Sequence, residues 1–198
     1  MSERVPQVRG LAVREKILSM ADELFYREGL RAVGVDTLIA ESGVAKTTLY
    51  RWFPSKDALI AAFLERRNAQ FWAQWDRIAA KHKEDPRAEL DAQLGWIARY
   101  VSGPKYRGCP FINAAAELPD LAHPGREVCI ANKQKLSERL LKLCTQARVK
   151  EPRLLADQLL LLIDGAFANA QVLGKSGPAS LLAAAGKALI DAAVPRRR

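Results

Sequence analysis

The sequence predicts an all-α protein with an N-terminal three-helix head and a longer helical C-terminal part. Apolar residues recur at three- and four-residue spacing along most of the chain, which is the period of an amphipathic helix. Glycine or proline separates the successive periodic segments. Alternation of apolar and polar residues, the pattern of a half-buried strand, is not sustained anywhere.

The three helices of the head are predicted from their apolar stripes and their breakers. Residues 13–27 carry one continuous stripe, and Gly29 follows, where a left-handed residue commonly ends a helix. Two short helices are predicted at 35–42 and 46–53, with a turn at Gly43 between them.

The remaining helices are longer and are separated by prolines and glycines. Pro54 ends the third helix, and Ser55 is suited to cap the fourth. Residues 102–125 contain four prolines and are predicted to form a loop with one short helix. The helices expected after the head lie at 56–81, 86–101, 112–118, 127–148, 154–173 and 179–193. The arginines of the tail, 196–198, are expected to be solvated.

Composition excludes several classes of protein. Hydrophobic residues make up 49% of the 198 residues, too many for a disordered chain. The longest uncharged stretches, 165–174 and 176–186, are shorter than the roughly 20 residues that cross a bilayer. The N-terminus lacks the apolar core of a signal peptide, so we expect a cytoplasmic protein with no membrane partner. An odd number of cysteines without a Cys-x-x-Cys pair predicts neither a disulfide framework nor a zinc site. We expect no metal and no cofactor.

Residues 34–53 carry the strongest functional signal, because two short helices joined by a glycine turn form a helix-turn-helix pattern. Leu38 and Leu49 are expected to face inward, and helix 13–27 is expected to pack across them. The second helix of this pattern, residues 46–53, is called the recognition helix. Its solvent face then presents side chains that suit DNA, namely Lys46, Thr47, Thr48, Tyr50 and Arg51. The net charge of +9 adds little to this argument, since residues 1–70 account for only +2 of it.

The string GVAKTTLYRWFPSKDAL, at residues 43–59, resembles the DNA-binding domain of the tetracycline-repressor (TetR) family of bacterial transcription regulators. The family pattern has a Gly-Val turn, a Leu-Tyr pair, a following aromatic and a Ser/Asn-Lys that opens the next helix; an Ala, a Leu-Phe pair and a Gly lie upstream. The matching residues are Gly43-Val44, Leu49-Tyr50, Phe53, Ser55-Lys56, Ala21, Leu24-Phe25 and Gly29. The resemblance covers residues 12–65.

The resemblance implies roles for single residues of the recognition helix. Lys46 and Thr47 would read base edges, and Thr48 and Tyr50 would grip phosphate, with Tyr50 also in reach of a thymine methyl group. Arg51 stands where the family varies, and it could contact either base or phosphate.

Five further residues lie in or beside the helix-turn-helix pattern. Lys56 would clamp the DNA backbone from the start of the fourth helix. Gly34 departs from the family, which often has a threonine there, and Thr37 could take over the missing phosphate contact. Asp36 stands where some relatives have a base-reading arginine, and it would either repel phosphate or accept a hydrogen bond from a cytosine amine. Trp52 is expected to pack between helices.

The rest of the chain resembles the family in architecture alone. The resemblance divides the chain into a DNA-binding domain at 1–55 and a ligand-sensing and dimerisation domain at 56–198. It also implies that the chain pairs with itself through 154–173 and 179–193; the alternative is that these two helices form a purely intramolecular core. Small residues in 165–170 would let two helices approach closely.

A small organic effector is the second partner that the resemblance implies, besides double-stranded DNA. Aromatic walls with a few polar groups would suit it, although ordinary core packing is the favoured reading of each residue. The candidate lining residues are Phe71, Trp75, Trp96, Tyr100, Phe111, Asn113, Asp164, Phe167 and Asn169. Asp164 would be either a buried anchor or a residue at the solvent edge. Cys109 would be either a redox sensor or, as we favour, a small residue in a proline-rich turn.

We therefore expect a ligand-responsive DNA-binding regulator, acting as a homodimer on a palindromic operator and released by its effector. Repression is the common behaviour of the family. A helical protein–protein adaptor with a degenerate DNA-binding head is the alternative. An enzyme is not expected, because paired carboxylates, for instance Glu117 and Asp120, are the only possible catalytic groups, and no nucleophile–base string or phosphate loop is present.

Overall fold

The chain is all-α, as the sequence predicts. The computed structural model describes residues 4–193, and within them the side chains of 10–174 and 176–193. Every regular element in 4–193 is a helix. The arginines of the tail lie outside the described residues. Helices α1 to α9 span Arg4–Glu28, Val35–Ser42, Lys46–Trp52, Lys56–Ala79, Pro86–Val101, Pro110–Glu117, Pro124–Gln146, Pro152–Leu173 and Leu182–Ala193, and two 3-10 turns, Gly174–Ser176 and Pro178–Leu181, join α8 to α9.

The helix ends follow from local chemistry. Gly43 ends α2 in the left-handed conformation, with φ of 63°, and its N–H donates to the carbonyl of Ile39. The Ser55 hydroxyl accepts a hydrogen bond from the N–H of Ala58 at 3.0 Å, so the predicted cap of α4 is confirmed. Asp85 caps α5 in the same way, accepting from the N–H of Ala88 at 2.9 Å.

Several predicted boundaries are wrong by a few residues. Helix α1 begins at Arg4 instead of residue 13, and Pro6 is compatible with this start because a proline in the first turn has no N–H to leave unpaired. Helices α6 and α7 begin at Pro110 and Pro124, which were expected to belong to a loop. Both prolines stand at the first helical position, which their fixed φ favours. Residues 179–181, expected to begin the last α-helix, belong to the 3-10 turn Pro178–Leu181.

The chain divides into two compact units. The first contains residues 1–68 and 110–130, and the second contains 69–109 and 131–198. Helix α4 contributes residues to both. The proposed functional division at residue 55 stays a prediction.

The core of the second unit depends on a close approach between α5 and α9. Gly186 of α9 lies against Leu94 of α5, so that a Cβ added to Gly186 would come within 2.4 Å of the Leu94 Cδ1. Leu94 and Ile190 are fully buried there. No helix in the described part of the chain is long and apolar enough to cross a membrane.

Candidate nucleic-acid interface

Helices α2 and α3 form the predicted helix-turn-helix around a small apolar core. Leu38 of α2 and Leu49 of α3 are 1% and 0% exposed, as the sequence predicts. Gly34 caps α2 through its extended backbone, and its carbonyl accepts from the N–H of Leu38 at 3.2 Å. Gly43 makes the turn, while Val44 behind it is half-buried. Burial of the two leucines fixes which face of α3 is left for solvent.

The solvent face of α3 presents most of the expected DNA-contacting side chains. Lys46, Thr47, Tyr50 and Arg51 are exposed, and Thr48 is half-buried. Tyr50 keeps 39% of its surface exposed although it is a large aromatic residue. An ammonium, a guanidinium and hydroxyl groups on one short helix can donate to phosphate oxygens and to acceptors on base edges.

The flanking residues extend this face beyond α3. Thr37 is exposed in the first turn of α2, and Lys56 is half-buried at the start of α4. Asp36 lies beside Lys46, with 3.7 Å between the Oδ1 and Nζ atoms, and both side chains are largely exposed. The sequence analysis assigned Asp36 and Lys46 independent roles, whereas the structure places their charged groups side by side.

Helix α1 supports α3 from behind. Trp52 packs against Gly10, where an added Cβ would lie 3.1 Å from the indole ring, which agrees with the expected packing role. The Arg14 guanidinium lies over the Phe53 ring at 5.1 Å from its centroid. Lys16 was missed by sequence reasoning, because its charge falls within an amphipathic pattern like any solvated lysine. Its Nζ atom lies 3.8 Å from the position of a Cβ on Gly43, which places a cation at the turn.

Ion pairs fasten α4 to α1 within the first unit. Arg67 makes two hydrogen bonds to the Asp22 carboxylate, at 2.7 and 2.8 Å, and its guanidinium lies 4.2 Å from the Tyr26 ring centroid. Arg66 pairs with Glu15, which lies two turns before Asp22 on α1. The hydrogen bond from Arg66 holds the pKa of Glu15 below its ordinary value. Two adjacent arginines of α4 therefore contact two turns of α1.

Helix α6 ends against the turn between α1 and α2. The Glu117 carboxylate accepts from the backbone N–H of Arg31 at 2.9 Å, and the Arg31 Nε donates to the Glu117 carbonyl at 3.0 Å. Asp120, its partner in the enzyme alternative, accepts from the N–H of Ala122 in the following turn. Both carboxylates therefore have backbone partners.

The proteins to which this chain is similar in sequence and in structure are transcriptional regulators with a helix-turn-helix or of the TetR type. The model of the family described as bacterial regulatory proteins, tetR family, matches residues 17–63. A TetR-family transcriptional regulator from Streptomyces coelicolor is 30% identical, with 91% of this chain and 93% of that chain covered and a TM-score of 0.81. A TetR-type regulator from Streptomyces avermitilis is 32% identical, with 91% and 97% covered and a TM-score of 0.77. The helix-turn-helix-type transcriptional regulator LmrA from Bacillus subtilis is 31% identical over 70% of this chain and 77% of its own length.

The chain belongs to the TetR family. The resemblance seen in residues 12–65 is thereby confirmed, and the structural similarity extends over 91% of the chain. Members of this family are DNA-binding transcriptional regulators, which are not enzymes. The α2–α3 face is accordingly the DNA-binding face of this TetR-family chain, while the role of each residue on it stays a prediction.

The structure brings together only some of the effector-site candidates of this TetR-family chain. Phe71, Trp75 and Trp96 form one aromatic cluster in the second unit, with ring centroids of Phe71 5.1 Å from Trp96 and 6.2 Å from Trp75. Trp72 joins it at 5.1 Å from Phe71, and the Lys135 Nζ lies 4.4 Å from the Trp72 centroid. Sequence reasoning missed Trp72 and Lys135.

Polar atoms in this cluster are incompletely satisfied. Trp75 is fully buried, and its indole N–H has no acceptor among the described residues. Gln93, 1% exposed, donates from Nε2 to the Trp75 carbonyl at 3.0 Å, whereas its Oε1 has no donor in the described part of the chain. Burial raises the pKa of the neighbouring Glu89 above its ordinary value.

The other effector-site candidates lie elsewhere. Asp164 is half-buried and ion-paired with Lys133 of α7, an intermediate between the two alternatives that the sequence leaves open. Tyr100 is exposed and packs edge-on against Tyr106, whose hydroxyl donates to the carbonyl of Phe167 at 2.9 Å. Asn169 donates to the Gly165 carbonyl of its own helix.

Three residues of α6 and its approach remain. Phe111 is 4% exposed and Asn113 half-buried, and both belong to the first unit. Cys109 is 5% exposed, which fits the favoured reading as a small packed residue. The candidate lining residues are divided between the two units, and the effector site stays a prediction.

Proposed function

We propose that this chain is a homodimeric repressor that binds a near-palindromic operator in the cytoplasm and is released by a small organic effector. One observation carries the DNA-binding part of the proposal. A buried apolar core holds α3 so that Lys46, Thr47, Tyr50 and Arg51 all lie exposed on one short helix. Such a helix suits entry into the major groove, where side chains at its start meet base edges.

A surface on α8 supports dimerisation. Six exposed residues follow one another at alternating four- and three-residue steps, which is the spacing of a coiled-coil seam. This set, called the α8 seam, comprises Leu154, Gln158, Leu161, Gly165, Ala168 and Val172. Leu161 and Val172 are 74% and 80% exposed, and an added Cβ on Gly165 would meet nothing within 4 Å. A second copy of the chain is the occupant that we propose for this seam.

Dimerisation also follows from the size of the recognition helix. Helix α3 has seven residues, so one copy can contact only a few base pairs. Two copies related by a two-fold axis would contact two half-sites, which multiplies affinity and requires a near-palindromic sequence.

Contacts within the first unit support a route by which an effector acts. Helix α4 carries residues of both units, and Arg66 and Arg67 join it to Glu15 and Asp22 of α1. A displacement of α4 would therefore move α1 and the helix-turn-helix that packs on it. The separation of the two recognition helices would change, and operator affinity would fall.

The aromatic cluster supports an effector that has an aromatic ring with hydrogen-bonding groups. Among the described residues, the Trp75 N–H has no acceptor and the Gln93 Oε1 has no donor, and a buried polar atom without a partner is costly. A ligand carbonyl and a ligand hydroxyl would satisfy these two atoms.

The experiment is a selection of genomic DNA with purified protein, followed by a footprint at a stated salt concentration. We expect protection of a two-fold symmetric site, and protection that requires a higher protein concentration with Lys46→Met or Tyr50→Ala. Lys83→Met removes an exposed charge from the second unit and should bind like the wild type. Binding that is weak, erased by moderate salt and indifferent to Lys46 and Tyr50 would refute the proposal and favour the adaptor.

A second measurement tests release. The operator complex is followed by fluorescence anisotropy while aromatic compounds that raise the melting temperature of the free protein are added. The proposal requires that such compounds lower operator affinity. Stabilising compounds that leave operator affinity unchanged would count against effector release while leaving DNA binding intact.

A further inference from the structure

An exposed ion pair lies on the DNA-binding face, and fold stability does not explain it. Asp36, in the first turn of α2, is 92% exposed at its side chain, and Lys46, at the start of α3, is 63% exposed. Their charged atoms lie 3.7 Å apart. Pairs this exposed contribute little to folding. Both residues stand next to threonines, Thr37 and Thr47, that are expected to contact DNA.

A carboxylate on this face needs a specific partner to be tolerated near DNA. Asp36 can only accept hydrogen bonds, and the phosphate backbone offers negative charge and no donor. In the major groove, the donors are the N4 amino group of cytosine and the N6 amino group of adenine. The ammonium of Lys46 can only donate, so it needs acceptors at an adjacent position.

The order of groups across the major groove distinguishes the two base pairs. In a G·C pair, the guanine acceptors N7 and O6 lie together, and the cytosine amino group lies beside them. A neighbouring ammonium and carboxylate match that order. In an A·T pair, the adenine amino group lies between two acceptors, N7 and the thymine O4. Both of those acceptors would repel a carboxylate placed on the amino group.

We propose that Asp36 and Lys46 together read one G·C base pair in each half-site. Asp36 accepts a hydrogen bond from the cytosine N4 amino group, and Lys46 donates to N7 and O6 of the guanine. The inference rests on the proposed operator binding and names a specificity determinant of that same site. The ion pair holds the two side chains side by side before DNA arrives, which lowers the entropy cost of ordering them.

The first test is selection from a randomised DNA library by the wild type, Asp36→Ala and Lys46→Met. The wild type is expected to select one G·C pair per half-site that both variants relax at the same position. A preference worth about 1–3 kcal/mol corresponds to a loss of discrimination of about 5- to 150-fold. Glu41→Ala removes an exposed acid from the same helix and is expected to leave every base preference unchanged.

The second test removes only the amino group of the contacted cytosine, by placing a 2-pyrimidinone nucleoside there. Wild-type affinity is expected to fall about tenfold more than that of Asp36→Ala, because only the wild type loses a protein contact. Equal losses would overturn the proposed hydrogen bond. The proposed hydrogen bond would also be overturned if Asp36→Ala changed the overall affinity for the operator but none of the base preferences. That outcome would leave the proposed function intact. A wild type that selects no operator would overturn the proposed function itself.

Discussion

Replacing Gly186 by alanine adds a methyl group where Leu94 already lies. The added Cβ would come within 2.4 Å of the Leu94 Cδ1, whereas carbon atoms in contact lie about 3.5–4.0 Å apart. Leu94 is 1% exposed, so its side chain has no free space into which it could turn. Helices α5 and α9 would have to separate by about an ångström, and α9 also packs against α8.

Two opposing contributions decide the sign of the effect. Alanine is preferred over glycine inside a helix by about 0.5–1 kcal/mol. Overpacking a tight core costs about 1–3 kcal/mol. We expect a net loss of about 1–2 kcal/mol in the free energy of unfolding, equivalent to a melting temperature lower by about 3–6 °C in a chain of this size.

Gly95 provides a matched control on the same pair of packed helices. An added Cβ there would meet only the end of the flexible Arg99 side chain, at 3.5 Å. Gly95→Ala should therefore keep the helix-propensity gain and raise the melting temperature by about 2–3 °C. Both variants are compared with the wild type by circular dichroism at one protein concentration.

The clash with Leu94 can be isolated in a double-mutant cycle. In a Leu94→Ala background the methyl group of Gly186→Ala enters the space that the leucine has left, so the second substitution should become stabilising. The reasoning is refuted if Gly186→Ala is as stable as the wild type, or if its effect is the same in both backgrounds.

Three further predictions concern the α8 seam, the end of α6 and the buried acid of α5. Leu161→Glu should give a monomer in light scattering and abolish operator binding, whereas Leu121→Glu, equally apolar and exposed but off the seam, should remain dimeric. Glu117→Ala should lower stability by about 1 kcal/mol, because the N–H of Arg31 loses its acceptor, while Glu117→Gln keeps an oxygen there and should lose less. Burial raises the pKa of Glu89, so the free energy of unfolding of the wild type falls as pH rises through that raised value. In urea at pH 7, Glu89→Gln should therefore be more stable than the wild type. At pH 4 this difference in stability should vanish.

Each of these predictions has a result that would contradict it. A dimeric Leu161→Glu would remove the seam from the interface. Equal losses for the two Glu117 variants would mean that the carboxylate does not act through its hydrogen bond. A stability difference at Glu89 that is the same at both pH values would show that charge burial is not its cause.

The sequence predicted the helices well where side-chain chemistry marks their ends. Gly43 and Ser55 are unambiguous, because a left-handed turn and a hydroxyl cap each favour few residue types. The prolines at 110 and 124 were misjudged, because proline both ends helices and begins them. Only the spacing of apolar residues after a proline shows whether it begins a helix or ends one. The helix after Pro110 has too few residues to establish a helical period.

The DNA-binding face was predictable because its residues are contiguous in the chain. Lys46, Thr47 and Tyr50 follow from one helix and one buried leucine. The pairing of Asp36 with Lys46, and of Glu117 with Arg31, joins residues distant in sequence. Periodicity places each of these residues on a helix face but says nothing about which faces meet.

The position of the recognition helix depends on residues that do not contact DNA. Helix α3 is only seven residues long and rests on α1 through Trp52 and Phe53. Helix α1 is in turn held by arginines of α4, and the turn that follows it is held by Glu117 of α6. The contacts of α1 with α4 and of the following turn with α6 are ion pairs and hydrogen bonds at partly exposed sites, where each contributes modestly to stability. Because these contacts are weak, two positions of the helix-turn-helix relative to α4 and α6 can differ by little free energy. We therefore expect the contacts of α1, α4 and α6 to control operator affinity, and the residues of α2 and α3 to set base preference.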